Sequence, residues 1–274
     1  MMRLIFLRIL ACALIGAPAV LAGSRAMTFL DVLRFRTVAQ GTLSPDAGEF
    51  VYTVSSLDWQ RNRRSTDLYL TGFNGSPTRQ LTFTPDRSEV APAFSPDGRW
   101  LAFLSDRNQP APDPGPPVWQ LYLMALDGGE ARQIGSVPGG VGTFAFSADG
   151  KWIAFTGGAP RERQSYLYDR NKNRAAPLTR HATGVEGMLW APDASRLYFT
   201  APDSSSPLEL KRIAVGFDVR IADPPVSPVH LWQVALGDGQ EARLTSGGFT
   251  VLQFSVSRDG RWLSFTAAPP DRYA

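Results

Sequence analysis

Apolar and polar residues alternate in short runs along this chain, and a turn centred on aspartate separates one run from the next. The turn occurs at Ser44–Ala47, Ser95–Gly98, Ser147–Gly150, Ala191–Ala194 and Ser257–Gly260. An apolar residue stands three positions before each of these aspartates, and others follow it at four and six positions. The two following positions share one face of a strand, because strand side chains alternate with a period of two. The pattern predicts five β-hairpins closed by similar turns.

A second hairpin is predicted after each of the first four. Its first strands are predicted at Asp67–Leu70, Gln120–Leu123, Ser165–Tyr168 and His230–Gln233. Its second strands are predicted to end at Leu81-Thr82, Gln133-Ile134, Leu178-Thr179 and Leu244-Thr245. Four strands in a unit of roughly 50 residues are typical of a propeller blade. A β-sandwich would not explain why one motif recurs in phase five times.

The predicted fold is therefore all-β, a propeller of WD40-like (PD40) four-stranded blades. A leader segment with a short helix is predicted over residues 23–42. The predicted blades cover residues 43–84, 92–137, 143–182 and 187–247, and a partial fifth covers 252–274. Propellers usually contain four to eight blades. Because the fifth unit stops within its first hairpin, we expect the propeller to be incomplete in this chain.

Composition excludes several other classes of protein. The 274 residues include 25 glycines and 22 prolines, which disfavours a helical bundle, while 43% hydrophobic residues suffice for a sizeable core. The only cysteine is Cys12, so no disulfide can form within the chain. His181 and His230 are the only histidines and have no cysteine near them, which argues against a zinc site. We assign no metal or cofactor site.

The N-terminal residues have the pattern of a secretory signal peptide. Met1–Arg8 is short and basic, Ile9–Leu21 is apolar, and small residues that suit cleavage end at Ala22. The apolar run is shorter than the ~20 residues of a membrane span, although an uncleaved anchor is the alternative. We expect residues 1–22 to be a bacterial-type signal peptide that directs export to the periplasm or the medium.

Charge gives little indication of a nucleic-acid partner. The formal net charge of +3 includes Arg3 and Arg8, which the predicted cleavage removes. The one basic cluster, Arg61, Arg63 and Arg64, stands beside Asp67. We interpret this cluster as a solvated loop rather than a phosphate site, and we expect no nucleic-acid partner.

The connection between the second and third strands of each predicted blade varies most in length. These loops cover residues 57–65, 107–118, 157–164 and 201–229, and antiparallel strands place all of them on one face. The 107–118 loop contains a proline-rich stretch, for which function and neutral length variation are equally good explanations. The 201–229 insertion has alternating apolar residues at Ile213, Val215, Phe217, Val219 and Ile221. We interpret that insertion as a strand that packs against a partner domain.

Two longer segments resemble a known family. Met27–Arg36 followed by Leu43–Asp46 resembles the entry to the propeller of prolyl oligopeptidase-family (S9) serine peptidases, and the acylaminoacyl-peptidase and dipeptidyl-peptidase-5-like branch fits best. Asn62–Leu70 resembles the first outer strand of that family. Leu210–Phe217, together with His230–Trp232, resembles the long insertion in its fourth blade. The Ser-Pro-Asp-Gly turn alone is less specific, since TolB-like propellers share it.

The resemblance implies a C-terminal α/β-hydrolase domain with a Ser, Asp and His triad, as the partner that acts on peptide substrates. The nucleophile of that domain lies in a G-x-S-x-G motif, which this chain lacks. No catalytic residue is assigned, and His230 is interpreted as an ordinary blade residue. The adjacent glutamates that the dipeptidyl-peptidase-4 branch uses are also absent.

The resemblance therefore implies the substrate-access propeller of an exported serine peptidase, without its catalytic triad. Two alternatives stay open. One is a TolB-like periplasmic propeller that binds proteins and has no enzymatic activity. The other is a free-standing pseudo-enzyme that binds a partner through its loop face.

Overall fold

The computed structural model describes residues 25–59, 62–84, 86–109, 115–204, 211, 215 and 227–269. The elements whose bounds are described are one short helix, α1 (Phe29–Leu33), and strands that pair antiparallel. The predicted all-β class and the short leader helix are confirmed. The carboxylate of Asp31 closes the first turn of α1 by accepting hydrogen bonds from the Thr28 N–H (2.8 Å) and from the Thr28 hydroxyl (2.7 Å).

The strands form four sheets of four strands and one of two. In each four-stranded sheet, consecutive strands pair as an antiparallel meander, which is the arrangement of a propeller blade. The first two blades contain β1 (Thr37–Leu43), β2 (Glu49–Asp58), β3 (Arg63–Gly72) and β4 (Arg79–Gln80), then β5 (Glu89–Phe94), β6 (Trp100–Ser105), β7 (Gln120–Ala125) and β8 (Arg132–Gly135).

The third and fourth blades repeat this order, and one hairpin follows them. Its two strands pair from Thr250 with Ala268 to Val256 with Leu263. The strands are β9 (Val141–Phe146), β10 (Trp152–Gly157), β11 (Gln164–Asp169) and β12 (Arg174–Pro177), then β13 (Glu186–Trp190), β14 (Arg196–Pro202), β15 (Val229–Ala235) and β16 (Glu241–Arg243), then β17 (Thr250–Val256) and β18 (Leu263–Ala268).

Each sheet begins one to six residues before the predicted start of its blade. The first sheet starts at Thr37, within the segment predicted as the leader, and the second starts at Glu89 rather than at residue 92. The aspartate turn identifies where the hairpin reverses direction. The length of each strand is determined by its pairing with the partner strand. Thr37 pairs with Ser55, for example, well before the turn at Ser44.

The repeated turn uses the same hydrogen bonds in blade after blade. The Ser95 hydroxyl donates to the Asp97 carboxylate and accepts from the Trp100 N–H at 3.0 Å. Ser44, Ser147 and Ser257 bond in the same way. These serines are used in closing turns, as their sequence context predicted.

A threonine hydroxyl joins the end of the fourth strand to the backbone of the third. The hydroxyl of Thr82 accepts from the Leu68 N–H at 2.9 Å, and Thr179 and Thr245 do the same for Ser165 and Leu231. In these three blades the predicted Leu-Thr pairs therefore lie just beyond the outer strands, which end at Gln80, Pro177 and Arg243.

The hydrophobic core is divided into four clusters, each between two consecutive sheets. Val51 and Leu68 of the first blade pack against Leu101 and Phe103 of the second, and the other clusters repeat this arrangement. The described helices include none that is long and apolar enough to cross a membrane.

Candidate functional site

The connections between second and third strands leave every four-stranded sheet at the same end. They cover residues 59–62, 106–119, 158–163 and 203–228. We refer to this end of the propeller as the loop face. Its first loop is shorter than the predicted 57–65, because β2 and β3 continue their pairing as far as Asp58 and Arg63. Most of the predicted 201–229 insertion lies outside the described residues.

A cavity of about 330 Å³ opens on the loop face between the first and second blades. Three of its lining residues are arginines, one is a carboxylate, and the remainder include a tryptophan and a proline. We refer to it as the arginine pocket. It is lined by Arg63, Arg64, Thr66, Arg87, Ser88, Val90, Asp106, Gln109, Gly115, Pro117 and Trp119.

Backbone pairing between blades positions the floor of this pocket. Thr66 in β3 forms a parallel bridge with Ser88, which directly precedes β5. The Ser88 N–H donates to the Asp106 carboxylate at 2.8 Å, so the second blade is joined to the same point. Arg63 lies three residues before Thr66, and Arg87 directly precedes Ser88. Both guanidinium groups therefore lie at the same opening.

Gln109 fixes the start of the long loop that forms the other wall. Its side-chain oxygen accepts from the Val118 N–H at 3.0 Å, and its amide donates to the Pro116 carbonyl. The Gln109 carbonyl in turn accepts from the Arg87 guanidinium. Gln109 is thereby joined to Pro116, Val118 and the arginine pocket, and Trp119 directly precedes β7.

The arginines of the pocket have few partners of opposite charge. Arg63 donates to the Asp86 carbonyl at 3.5 Å, and Arg87 donates to the Gln109 carbonyl. Over the ranges that the structure describes, no carboxylate forms an ion pair with Arg63, Arg64 or Arg87. Arg63 and Arg64 lie at the start of β3 rather than in the predicted loop, and both line this cavity, while the Arg64 side chain is exposed as predicted. Arg61 lies outside the described residues.

A buried ion pair joins the first residue of β5 to the start of the 106–119 connection. The Glu89 carboxylate has no exposed side-chain surface and lies 3.0 Å from the Arg107 guanidinium. The same Glu89 oxygen, Oε1, accepts from the Ser105 hydroxyl at 3.0 Å. Arg107 also lies over the Tyr122 ring, 4.6 Å from its centre. Burial raises the pKa of Glu89, and the nearby charge of Arg107 opposes that shift.

The position of Glu89 is apolar in the other repeats. Counted from the turn aspartate, the equivalent residues are Val38, Val141, Val185 and Val251. The last three are buried between consecutive sheets. Glu89 therefore introduces a charge where the repeat otherwise has a valine, and its second oxygen, Oε2, has no hydrogen-bond partner among the described residues. Sequence reasoning missed this residue, although the aligned turns contained the signal.

His230 is fully buried at the point where the chain returns from the 203–228 connection into β15. Its Nδ1 lies 3.2 Å from the Thr245 hydroxyl, and its Nε2 lies 3.6 Å from the Asp203 carboxylate. Asp203 is also paired with Arg243 at 3.1 Å. Burial lowers the pKa of His230, Arg243 lowers it further, and Asp203 opposes both.

His181 joins the third blade to the fourth. Its Nδ1 lies 2.7 Å from the Glu241 carboxylate, which also accepts from the Arg180 N–H at 2.9 Å. Its ring meets that of Trp232 edge-on, with the ring centres 4.5 Å apart. The structure therefore places the two histidines in separate contacts of the fourth blade. Within the described part of the chain, no group of three or more His, Cys, Asp or Glu residues is arranged to hold a metal ion.

No family model matches this sequence, but individual proteins do. The chain is 26% identical over 243 residues to the uncharacterized peptidase YuxL of Bacillus subtilis, which covers 89% of this chain and 31% of YuxL. It is 34% identical over 152 residues to dipeptidyl-peptidase 5 of Porphyromonas gingivalis, which covers 54% of this chain and 21% of that protein. The chain thus spans less than a third of the length of either relative.

Solved structures share the fold at low sequence identity. The β-propeller domain of the trilobed protease from Pyrococcus furiosus matches with a TM-score of 0.54 and 12% identity, over 80% of this chain and 60% of that one. A Bacteroides ovatus protein described as a dipeptidyl aminopeptidase IV matches with a TM-score of 0.60 and 11% identity, over 85% and 38%. A protein described as TolB, from Agrobacterium tumefaciens, matches with a TM-score of 0.54 and 17% identity, over 87% and 73%. These likenesses confirm the propeller fold.

Proposed function

We propose that this chain, a β-propeller homologous to the propeller domains of prolyl oligopeptidase-family (S9) peptidases, forms the substrate-access part of an exported serine peptidase. The catalytic Ser, Asp and His would belong to an α/β-hydrolase domain that lies against the loop face. The observation that carries this proposal is the sequence similarity to a peptidase over 89% of the chain.

The loop face supports an access role. Loops on a rigid scaffold are where binding residues concentrate, and the two longest connections of the blades, at 106–119 and 203–228, leave from this face. The opposite face carries the tight aspartate turns, whose serine hydroxyls are already used in hydrogen bonds. A catalytic domain on the loop face would receive substrates through or beside these loops.

The test uses the complete coding region that contains this sequence. Its product is assayed with aminoacyl, dipeptidyl and acyl-peptide chromogenic substrates of several lengths. We expect turnover that a serine-directed inhibitor abolishes, and a changed preference between long and short substrates when 205–226 is replaced by a short Gly-Ser link. A matched control shortens the Gly237–Gly239 turn on the opposite face. Unchanged selectivity in the loop variant, or a product without peptidase activity, would contradict the proposal.

A TolB-like binding propeller is the second candidate. The Agrobacterium protein supports it through its shared fold. A coding region that contains blades but no G-x-S-x-G motif would select this candidate. Recovery of one stoichiometric partner through the loop face, and no peptide hydrolysis, would support it.

Export is a separate part of the proposal. The signal peptide predicted at residues 1–22 lies outside the described residues, so it rests on the sequence pattern alone. N-terminal sequencing of the exported protein should begin at or near Gly23. An intact Met1 in the periplasmic or extracellular fraction would contradict cleavage.

A further inference from the structure

We propose that the arginine pocket is a binding site for a carboxylate group of a peptide. The peptide class rests on the proposed function, whereas the preference for an anion rests on the pocket itself. Val90 and Trp119 pack partly against the core, whereas the side chains of Arg63, Arg64 and Arg87 are not buried.

Charge is the first argument. Arg63, Arg64 and Arg87 line one cavity and, within the described ranges, pair with no carboxylate. Arginine presents a planar set of donors that matches both oxygens of a carboxylate. Two of the three side chains already donate one hydrogen bond to a backbone carbonyl, Arg63 to Asp86 and Arg87 to Gln109. These bonds restrain the guanidinium groups and leave other donors free for a ligand.

Asp106 partly offsets the positive charge of the lining. Asp106 contributes a negative charge to the same cavity, held in place by the Ser88 N–H. Three arginines against one aspartate leave the lining net positive, so it attracts an anion. The choice of a carboxylate as that anion rests on the apolar wall and on the proposed function.

The apolar part of the wall suits the peptide that would carry the carboxylate. Trp119, Pro117 and Val90 line the cavity beside the arginines. Ligand sites commonly combine apolar walls with a few polar groups that fix orientation. The cavity volume of about 330 Å³ is enough for one or two residues at the end of a peptide.

The glutamine contacts give the site a fixed geometry before a ligand arrives. Gln109 ties Val118 to the start of the loop through its side chain, and it ties Arg87 to the loop through its carbonyl. The bridge between Thr66 and Ser88 holds the two blades together beneath the pocket. Such preorganisation reduces the ordering cost of binding.

The test is a binding measurement on the whole chain by isothermal titration calorimetry at low and moderate salt. The probes are one neutral pentapeptide with a free C-terminal carboxylate, its C-terminal amide, and an amide that carries an internal glutamate. We expect the free acid to bind and the neutral amide to bind at least about tenfold more weakly, because the amide lacks the charge that strengthens hydrogen bonds from arginine. The glutamate peptide distinguishes a terminal carboxylate from a side-chain carboxylate.

Two variants and one control locate the binding. Arg63→Gln and Arg87→Gln are each expected to weaken the free acid about tenfold, and Arg258→Gln, on an exposed turn of the opposite face, is expected to leave it unchanged. Circular dichroism and the melting temperature of each variant verify folding. Equal affinity for acid and amide, or equal affinity in wild type and both pocket variants, would overturn the proposal. Binding of inorganic phosphate in preference to every carboxylate peptide would overturn the assignment of the ligand.

This experiment does not depend on peptide hydrolysis. Failure of the proposed peptidase function would appear as absence of turnover in the complete protein, with binding to this chain intact. Failure of the pocket assignment would appear as absence of carboxylate binding, with turnover intact.

Discussion

Glu89 and Arg107 form a 3.0 Å ion pair at the interface between the first and second blades, where the later interfaces have a valine at the glutamate position. The third blade has Val141 and Ala159 at the two equivalent places. The pair thus replaces an apolar contact with two charges, of which the glutamate is completely buried. Removal of one partner and replacement of both should have very different effects.

Arg107→Ala is expected to destabilise the protein by about 3–5 kcal/mol, because it leaves the Glu89 carboxylate buried without its partner. The double variant Glu89→Val with Arg107→Ala introduces the valine and alanine that the third blade has at the equivalent positions. It is expected to be nearly as stable as wild type, because apolar replacement of a buried pair is often neutral or stabilising. Urea unfolding of the wild type, both single variants and the double variant gives the coupling directly. A double variant that loses the sum of both single losses would contradict this account.

The Glu89 carboxylate should also make stability depend on pH. Burial raises its pKa above the ordinary value of 4.5, so the folded state holds this proton at pH values where the unfolded state has lost it. Stability from this group is therefore present below about pH 4.5 and falls as the pH rises through the folded-state pKa. Melting temperatures measured from pH 4.5 upward should fall more in wild type than in Glu89→Gln. Parallel curves for the two proteins would show that Glu89 titrates normally.

His230 is expected to act in the opposite direction. Burial lowers its pKa below 6.5. Just below that pH, the unfolded state therefore binds a proton more readily than the folded state does. The stability from this group is present above about pH 6.5 and is lost as the pH falls from there through the folded-state pKa. Wild type should lose more of its melting temperature between pH 7.5 and 5.5 than His230→Gln does. An identical loss in the two proteins would rule out a contribution from His230.

Ser95 and Ser257 make the same turn contacts but differ in burial, which provides a matched comparison. Ser95 is completely buried, while the Ser257 turn is exposed. Ser95→Ala should cost about 1–3 kcal/mol, because the Trp100 N–H loses its hydroxyl partner away from water. In Ser257→Ala, water can replace the hydroxyl for the Trp262 N–H, so the loss should be smaller. Chemical unfolding of both variants tests the difference, and equal losses would indicate that burial is irrelevant here.

The hairpins could be predicted from the sequence because each depends on residues close together in the chain. The turn at Ser95–Gly98 is specified by its own serine, aspartate and glycine, and the strands that follow it have a clear alternation of apolar residues. The start of β1 at Thr37 could not be predicted in the same way, because it depends on pairing with β2. Local patterns fix turns, whereas strand ends depend on the partner strand.

The arginine pocket shows the limit of local reasoning more clearly. Arg63 and Arg64 could be read from the sequence only as a basic run beside Asp67. Arg87 and Trp119 lie on segments well separated from them, and only the bridge between Thr66 and Ser88 brings the segments together. By contrast, the exceptional character of Glu89 was accessible from the sequence, since the aligned repeats have valine at its position.

The division of the core into four clusters has a consequence for how the molecule tolerates change. Every cluster belongs to two consecutive sheets, so each blade is energetically coupled to its immediate neighbours alone. A substitution at Phe103 changes the packing between the first and second blades. It affects other blades only through the contacts of these two. A weakened cluster therefore loosens the contact between two sheets, while the other described clusters keep their own contacts.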